Sequence, residues 1–292
     1  MADDNVYNIQ WFPGHMAKTR RMISESLHSV DAVIELLDAR IPFSSANPDI
    51  RSLCAGKRRL TVLNKCDLSD KKTLELWKEY ISSDGTFCVA ADSTSGSGMN
   101  DAVSCLRRML ADKTERLKEK SYSKNIRAMV LGIPNVGKST FINRLAGSVK
   151  AKAENRPGVT RDRQWVRTSY GIDLLDTPGV LWPRFDDRTV AENLALTGAI
   201  RDDILDQESL AVVLVGRLIV AAPSPLCSRY RLLPEDIENC TPYELFLTIA
   251  KKRGMIQRGG EPDTERAAAV LLDEFRSGKI GRITLELPEN IR

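Results

Sequence analysis

Apolar residues in the first 180 or so positions come in short runs, each closed by a polar or turn-forming residue. Ala32-Val-Ile-Glu-Leu-Leu37 leads into Asp38-Ala-Arg40, Leu60 to Leu63 stops at Asn64, Phe87 to Ala91 at Asp92, Ala128-Met-Val-Leu131 at Gly132, and Ile172 to Leu175 at Asp176. Short continuous apolar runs with such boundaries predict buried strands. Between them lie helical patterns: a short basic helix after Pro13, a helix closing over Trp77 to Ile81, a positively charged one over Asp101 to Lys120, and one over Ser139 to Leu145. Ser121 to Asn125 is a polar break. Strand and helix in alternation predict an α/β fold with a mostly parallel sheet flanked by helices. Beyond about Pro183 the alternation stops. Thr189 to Leu196, Tyr243 to Arg253 and Thr264 to Phe275 keep a helical period, with Pro223, Pro225 and Pro234 expected to mark loops. The chain therefore divides into residues 1–183 and a small C-terminal helical domain, 184–292.

Composition narrows the class. At 292 residues and 42% hydrophobic, the chain has enough apolar surface for a full core. Its longest apolar runs, Leu210 to Val215 and Leu218 to Ala222, are broken by Gly216 and Arg217 and fall short of the ~20 residues of a membrane span. The acidic start, Met-Ala-Asp-Asp, lacks the apolar core of a secretory signal, so a cytoplasmic protein without a membrane partner is expected. Six cysteines, at 54, 66, 88, 105, 227 and 240, show no CxxC pair and read as reduced thiols. Net charge is +4, but residues up to 184 carry 29 Lys+Arg against 21 Asp+Glu, with 14 against 18 beyond. Basic stretches at 18–21, 107–127 and 150–167 suit a polyanion, although charge runs also make ordinary solvated helix faces.

The strand ends carry the chemistry. Gly132-Ile-Pro-Asn135-Val136-Gly137-Lys138-Ser139 matches GxxxxGK[ST] and sits between a strand and a helix start, where backbone amides and the helix N-terminus surround phosphate. There Lys138 reaches the β/γ oxygens, Ser139 joins the Mg²⁺ shell, and Thr140 adjoins the nucleotide. Asp176-Thr-Pro-Gly179, DxxG after the next strand, places Asp176 to hold a Mg²⁺-bound water and the Gly179 amide to face a γ-phosphate. Thr160, after Pro157-Gly158, is the expected third Mg²⁺ group. Asn64-Lys65-Cys66-Asp67 matches NKxD, whose carboxylate accepts two hydrogen bonds from guanine N1 and N2 while Lys65 packs along the ring. Adenine offers no such pair, which selects GTP and GDP as ligands. Asp92-Ser93 falls where a backbone amide would meet guanine O6.

The motifs run base-recognition first and phosphate loop later, a circularly permuted order in which the DxxG loop leads straight into the helical region. Val180, Leu181 and Trp182 follow Gly179, and none of them orients water. His15, in Trp11-Phe-Pro-Gly-His15-Met, is the candidate for that task. Its spacing alone favours an exposed histidine in the first turn of a helix.

With Trp11-Phe-Pro-Gly-His-Met, Asp38-Ala-Arg-Ile-Pro, Asn64-Lys-Cys-Asp, the Gly132 to Ser139 loop and Asp176-Thr-Pro-Gly in that order, the chain resembles the YlqF/RbgA family of circularly permuted GTPases. The resemblance spans roughly residues 8–290. It implies a GTP hydrolase that assembles the large (50S) ribosomal subunit, is stimulated by the particle, and touches 23S rRNA through its C-terminal domain, with no DNA partner. It also implies a catalytic role for His15 and potassium activation through Asn135. Because the C-terminal region is net acidic, its local cluster Lys251, Lys252, Arg253 and Arg258 is the expected rRNA contact. The competing reading is an RNA-binding switch whose turnover is incidental.

Overall fold

The computed structural model describes residues 13–113, 115, 125–147, 164–182, 185, 187–238 and 240–290, with the side chains of 13–17 outside that description. The polar break at 121–124 and the Gly158–Thr160 turn also lie outside the described residues.

A six-stranded sheet in the order β3-β2-β1-β4-β6-β5 organises the first part of the chain. Its strands are β1 (Ala32–Asp38), β2 (Arg58–Asn64), β3 (Phe87–Ala91), β4 (Ile126–Gly132), β5 (Gln164–Arg167) and β6 (Ile172–Asp176). Pairing is parallel except between β5 and β6. β1 lies between β2 and β4 and all of its seven residues are buried, so it is apolar on both faces. Glu35, in mid-strand, faces Arg59 at 3.5 Å, and burial raises its pKa.

Helices cover both faces. Ile23 and Leu27 of α1 (Pro13–Leu27) and Ile50 of α2 (Pro48–Leu53) pack with Val33, Met129, Leu131 and Leu175, while α3 (Lys71–Ser82) buries Leu74, Trp77 and Ile81 against Leu37 and Leu63. On the other face lie α4 (Met99–Met109) and α5 (Lys138–Ala146), whose apolar cluster runs on without a break into the C-terminal helices. Those are α6 (Arg188–Leu196), α7 (Gln207–Ala221), α8 (Pro223–Tyr230), α9 (Glu235–Glu238), α10 (Pro242–Lys252) and α11 (Thr264–Arg276).

Five of the six strands and most helices fall where the apolar pattern places them, β5 being the strand it does not place, and the exceptions have physical causes. The helix expected over Asp101 to Lys120 is interrupted: α4 ends at Met109, Leu110 leaves helical geometry, and residues 111–113 and 115 are helical again. Gly216 and Arg217 do not interrupt α7. Gly216 gives room to the Pro242 ring, 3.4 Å from where a Cβ would stand, and Arg217 reaches out to Glu192 at 2.9 Å. Pro223 and Pro225 lie inside α8 rather than in a loop, with Pro223 at its start, where a missing N–H costs nothing. All six cysteines are free thiols, two of them buried. Among the described residues no single helix is long and apolar enough to cross a membrane.

Candidate functional site

The carboxyl ends of β1, β2, β3, β4 and β6 meet along one edge of the sheet, the usual position of a ligand in an open α/β fold. Asn64 ties three of the loops there together. Its Nδ2 donates to the Val136 carbonyl at 2.7 Å, and its Oδ1 accepts from the Ser93 N–H at 3.2 Å and the Ser93 hydroxyl at 2.7 Å. Gly137 packs against the same amide: a Cβ there would stand 2.4 Å from Asn64 Nδ2, and its φ is +100°. Only glycine fits this crossing.

The phosphate loop has the form its sequence predicts. Gly132 passes so close to the β1 edge that a Cβ would lie 2.5 Å from the Leu36 carbonyl. Val136 is a core residue and contributes backbone, and Asn135 takes a left-handed φ of 56° at the crest. Gly137 caps α5 with no side chain on its first amides, which leaves the helix start open to an anion. Lys138 is folded back into the loop, its Nζ donating to the carbonyls of Gly132 at 3.0 Å and Ile133 at 2.7 Å. Burial pulls its pKa down to about 8, against the opposing effect of Asp176.

Asp176 at the end of β6 is buried, which raises its pKa, while Lys138 and a hydrogen bond with Ser139 act the other way. Its Oδ1 has no hydrogen-bond partner. An unsatisfied buried carboxylate oxygen beside a hydroxyl suits a hydrated divalent cation, and this donor set fits Mg²⁺. Gly179 lies flat on the phosphate loop, since a Cβ would meet Pro134 Cα and N at 2.7 Å and Lys138 Nζ at 3.1 Å. The Val180 N–H donates to the Gly132 carbonyl at 3.1 Å, which fastens the DxxG turn to the same loop.

A cleft of about 460 Å³ opens over these groups, lined by Asn64, Lys65, Asp67, Asp92, Ser93, Asn135, Gly137 and Thr140. Lys65 Nζ lies 3.1 Å from Asp38, whose carboxyl is held far below the usual range by Arg40 and Lys65 despite full burial. Burial and neighbouring Asp92 raise the pKa of Asp67. The amides of Asp92 and Ser93 donate to Ser97 and Asn64 respectively, so these residues brace the loop as well as line the cleft. Thr160 lies outside the described residues, as does the His15 side chain, although position 15 falls within α1.

A ribosome biogenesis GTPase A of Priestia megaterium is 45% identical to this chain over 284 residues, covering 96% of this chain and 97% of its own. The chain belongs to the ribosome biogenesis GTPase A family. Two solved structures have the same fold: GDP-bound TM YlqF, with a TM-score of 0.65, and GNP-bound YlqF from T. maritima, with a TM-score of 0.63. Each is 28% identical, and they cover 92% and 94% of this chain and 100% of their own. The family model described as 50S ribosome-binding GTPase matches residues 127–221. As a member of this family the chain is a GTP hydrolase, and Mg²⁺ dependence is general to such enzymes.

In this member of the family the far wall of the cleft comes from the C-terminal helices. Thr197, Gly198, Arg201, Asp202, Asp273, Arg276 and Ser277 line it together with Arg40. Asn135 Nδ2 donates to the Gly198 carbonyl at 2.7 Å, and Arg40 donates to the Arg276 carbonyl at 3.3 Å. Of these positions only Arg40 and Asn135 fall in a sequence motif, and the C-terminal ones carry none. Farther off, Lys251, Lys252, Arg253 and Arg258 are exposed at and beyond the end of α10, but Lys252 pairs with Asp236 at 2.6 Å and Arg253 with Glu274 at 3.0 Å. Lys252 and Arg253 also line a groove of about 640 Å³ with Arg229, Arg231 and Lys279, which the sequence cluster alone does not include.

Proposed function

We propose that this GTPase is an assembly factor for the large ribosomal subunit whose hydrolysis is stimulated by the particle. The observation that carries the nucleotide part is the Asn64 crossing, which joins the NKxD strand end, the phosphate loop and the Asp92–Ser93 loop around one cleft. In this reading residues 1–183 form the permuted GTPase domain and 184–292 the helical domain. Asp67 takes guanine N1 and N2, Lys65 packs along the base, Asp92 and Ser93 frame it, and the amides of 135–140 hold the phosphates. Lys138 leaves the Gly132 and Ile133 carbonyls to do so. Ser139, Thr160 and, through water, Asp176 would hold Mg²⁺, which neutralises charge between the β- and γ-phosphates.

Val180 and Leu181 are buried apolar residues beside Gly179, so the attacking water needs a partner from elsewhere, and His15 supplies it. Potassium is a finer part of the reading: Asn135 supplies its carboxamide oxygen, and turnover in K⁺ against Na⁺ tests it. Lys251, Lys252, Arg253 and Arg258 face 23S rRNA, in a cytoplasmic, ribosome-associated protein.

The deciding experiment is multiple-turnover GTP hydrolysis with and without 50S particles. Stimulation is expected, and His15→Ala is expected to abolish it with GTP affinity nearly intact. Absence of stimulation favours the RNA-binding switch, and full stimulation of the His15 variant removes that residue from the mechanism.

A further inference from the structure

The loop that carries Asp67 is held from outside its own neighbourhood. After β2 the chain turns at Lys65 with a left-handed φ of 58°, a conformation that a lysine holds only when its surroundings enforce it. Residues 282–284 lie against this turn and hydrogen-bond it at four points. Arg282 Nη2 donates to the Cys66 carbonyl at 2.7 Å and its Nε to the Ser69 carbonyl at 2.8 Å, so one rigid guanidinium spans both sides of Asp67. The Ile283 N–H donates to the Leu68 carbonyl at 2.8 Å, and the Asp70 N–H donates to Thr284 Oγ1 at 3.0 Å. Gly278 comes close enough that a Cβ would lie 2.6 Å from Leu68. The Arg282 charge also favours the ionised form of Asp67, against burial and Asp92.

We infer that Arg282 is a positioning residue for guanine recognition, fixing through the Cys66 and Ser69 carbonyls where the Asp67 carboxylate meets the base. The inference rests on the assignment of Asp67 to guanine N1 and N2. Arg282 touches no nucleotide. It sets where the Asp67 carboxylate lies, and with it the strength of the bond to the 2-amino group that GDP carries and IDP lacks.

The test uses the full-length protein with GDP and IDP titrated calorimetrically. IDP carries N1–H but lacks the 2-amino group, so the ratio of the two affinities reports how well Asp67 is placed, and a general loss of stability does not move it. Arg282→Ala is expected to weaken GDP about tenfold and IDP only about threefold, so the preference shrinks. Arg282→Lys, whose single ammonium cannot reach both carbonyls, is expected to fall between this variant and wild type. If Arg282→Ala does not fold, Arg282→Lys decides, with a fall in the ratio of at least about twofold expected. An unchanged ratio in the Arg282 variants overturns the inference, provided Asp67→Asn collapses it. If Asp67→Asn also leaves the ratio intact, the base-recognition reading fails and this inference falls with it.

Discussion

Replacing Asn64 with alanine tests the crossing on which the site is built. Asn64 is 1% exposed and makes three hydrogen bonds, one to the Val136 carbonyl and two from Ser93. Truncation leaves a buried carbonyl and a buried N–H without partners, at roughly 1–3 kcal/mol each, while the Ser93 hydroxyl is free to rotate toward another acceptor. The expected loss of folding stability is about 3 kcal/mol, a large share of the ~5–15 kcal/mol that holds a typical domain. Because the same bonds set the spacing between base and phosphate loops, GDP affinity is expected to fall by about tenfold or more. Urea unfolding of the nucleotide-free protein reads the first quantity and calorimetric titration of GDP the second. Asn64→Asp separates the two arms of the crossing: it keeps the acceptors for Ser93 but sets a carboxylate against the Val136 carbonyl, and is expected to bind no better than alanine. A variant within about 0.5 kcal/mol of wild type that binds GDP within about twofold refutes the argument.

Two further predictions follow from the same region. Burial lowers the Lys138 pKa to about 8 in the nucleotide-free protein, whereas phosphate oxygens favour its charged form. Below pH 8 both states are protonated and GDP affinity is flat. Above it the free protein loses the proton that the complex keeps, so affinity falls by up to about tenfold per pH unit, with proton uptake on binding. Flat affinity to pH 9.5 or so, or no uptake in buffers of different ionisation enthalpy, refutes it. At Gly98, with φ +75°, a Cβ would stand 2.1 Å from the Ala90 carbonyl, so Gly98→Ala is expected to cost about 2–4 kcal/mol in urea unfolding. Gly56, with nothing within 4 Å of its Cβ position, is the matched control, and equal effects at the two sites would count against the clash.

Where the sequence is legible, covalent neighbours make the structure. Strand β3 over Phe87–Ala91, the phosphate loop and the DxxG turn are each read from a continuous stretch, since a strand end and the glycine that follows it are local facts. Where it is not, the cause is distance along the chain. β5 is hidden because its edge position leaves only Val166 buried among Gln164, Trp165 and Arg167, too few apolar residues to show a period. α7 hides because Gly216 and Arg217 read as a break until Pro242 and Glu192 appear beside them. The far wall of the cleft, with Arg276 and Asp202 paired at 2.7 Å, carries no pattern at all. Likewise, Lys252 and Arg253 read as part of a basic cluster expected to meet rRNA, and only the fold sets them beside Asp236, Glu274 and a wider basic groove.

The contacts between residues 282–286 and residues 40–77 bear on how the molecule is made. Leu285 donates to the Arg40 carbonyl at 2.8 Å, and Trp77 Nε1 donates to the Glu286 carbonyl at 3.0 Å, closing loops of more than two hundred residues. Synthesis from the N-terminus delivers β1, β2 and the NKxD turn long before their support, and loop closure over such a separation comes late. A growing chain therefore carries the motifs of a nucleotide-binding protein well before it holds a guanine base firmly. Firm capture of the base is thus expected to wait for residues 282–286, more than two hundred positions after the turn they hold.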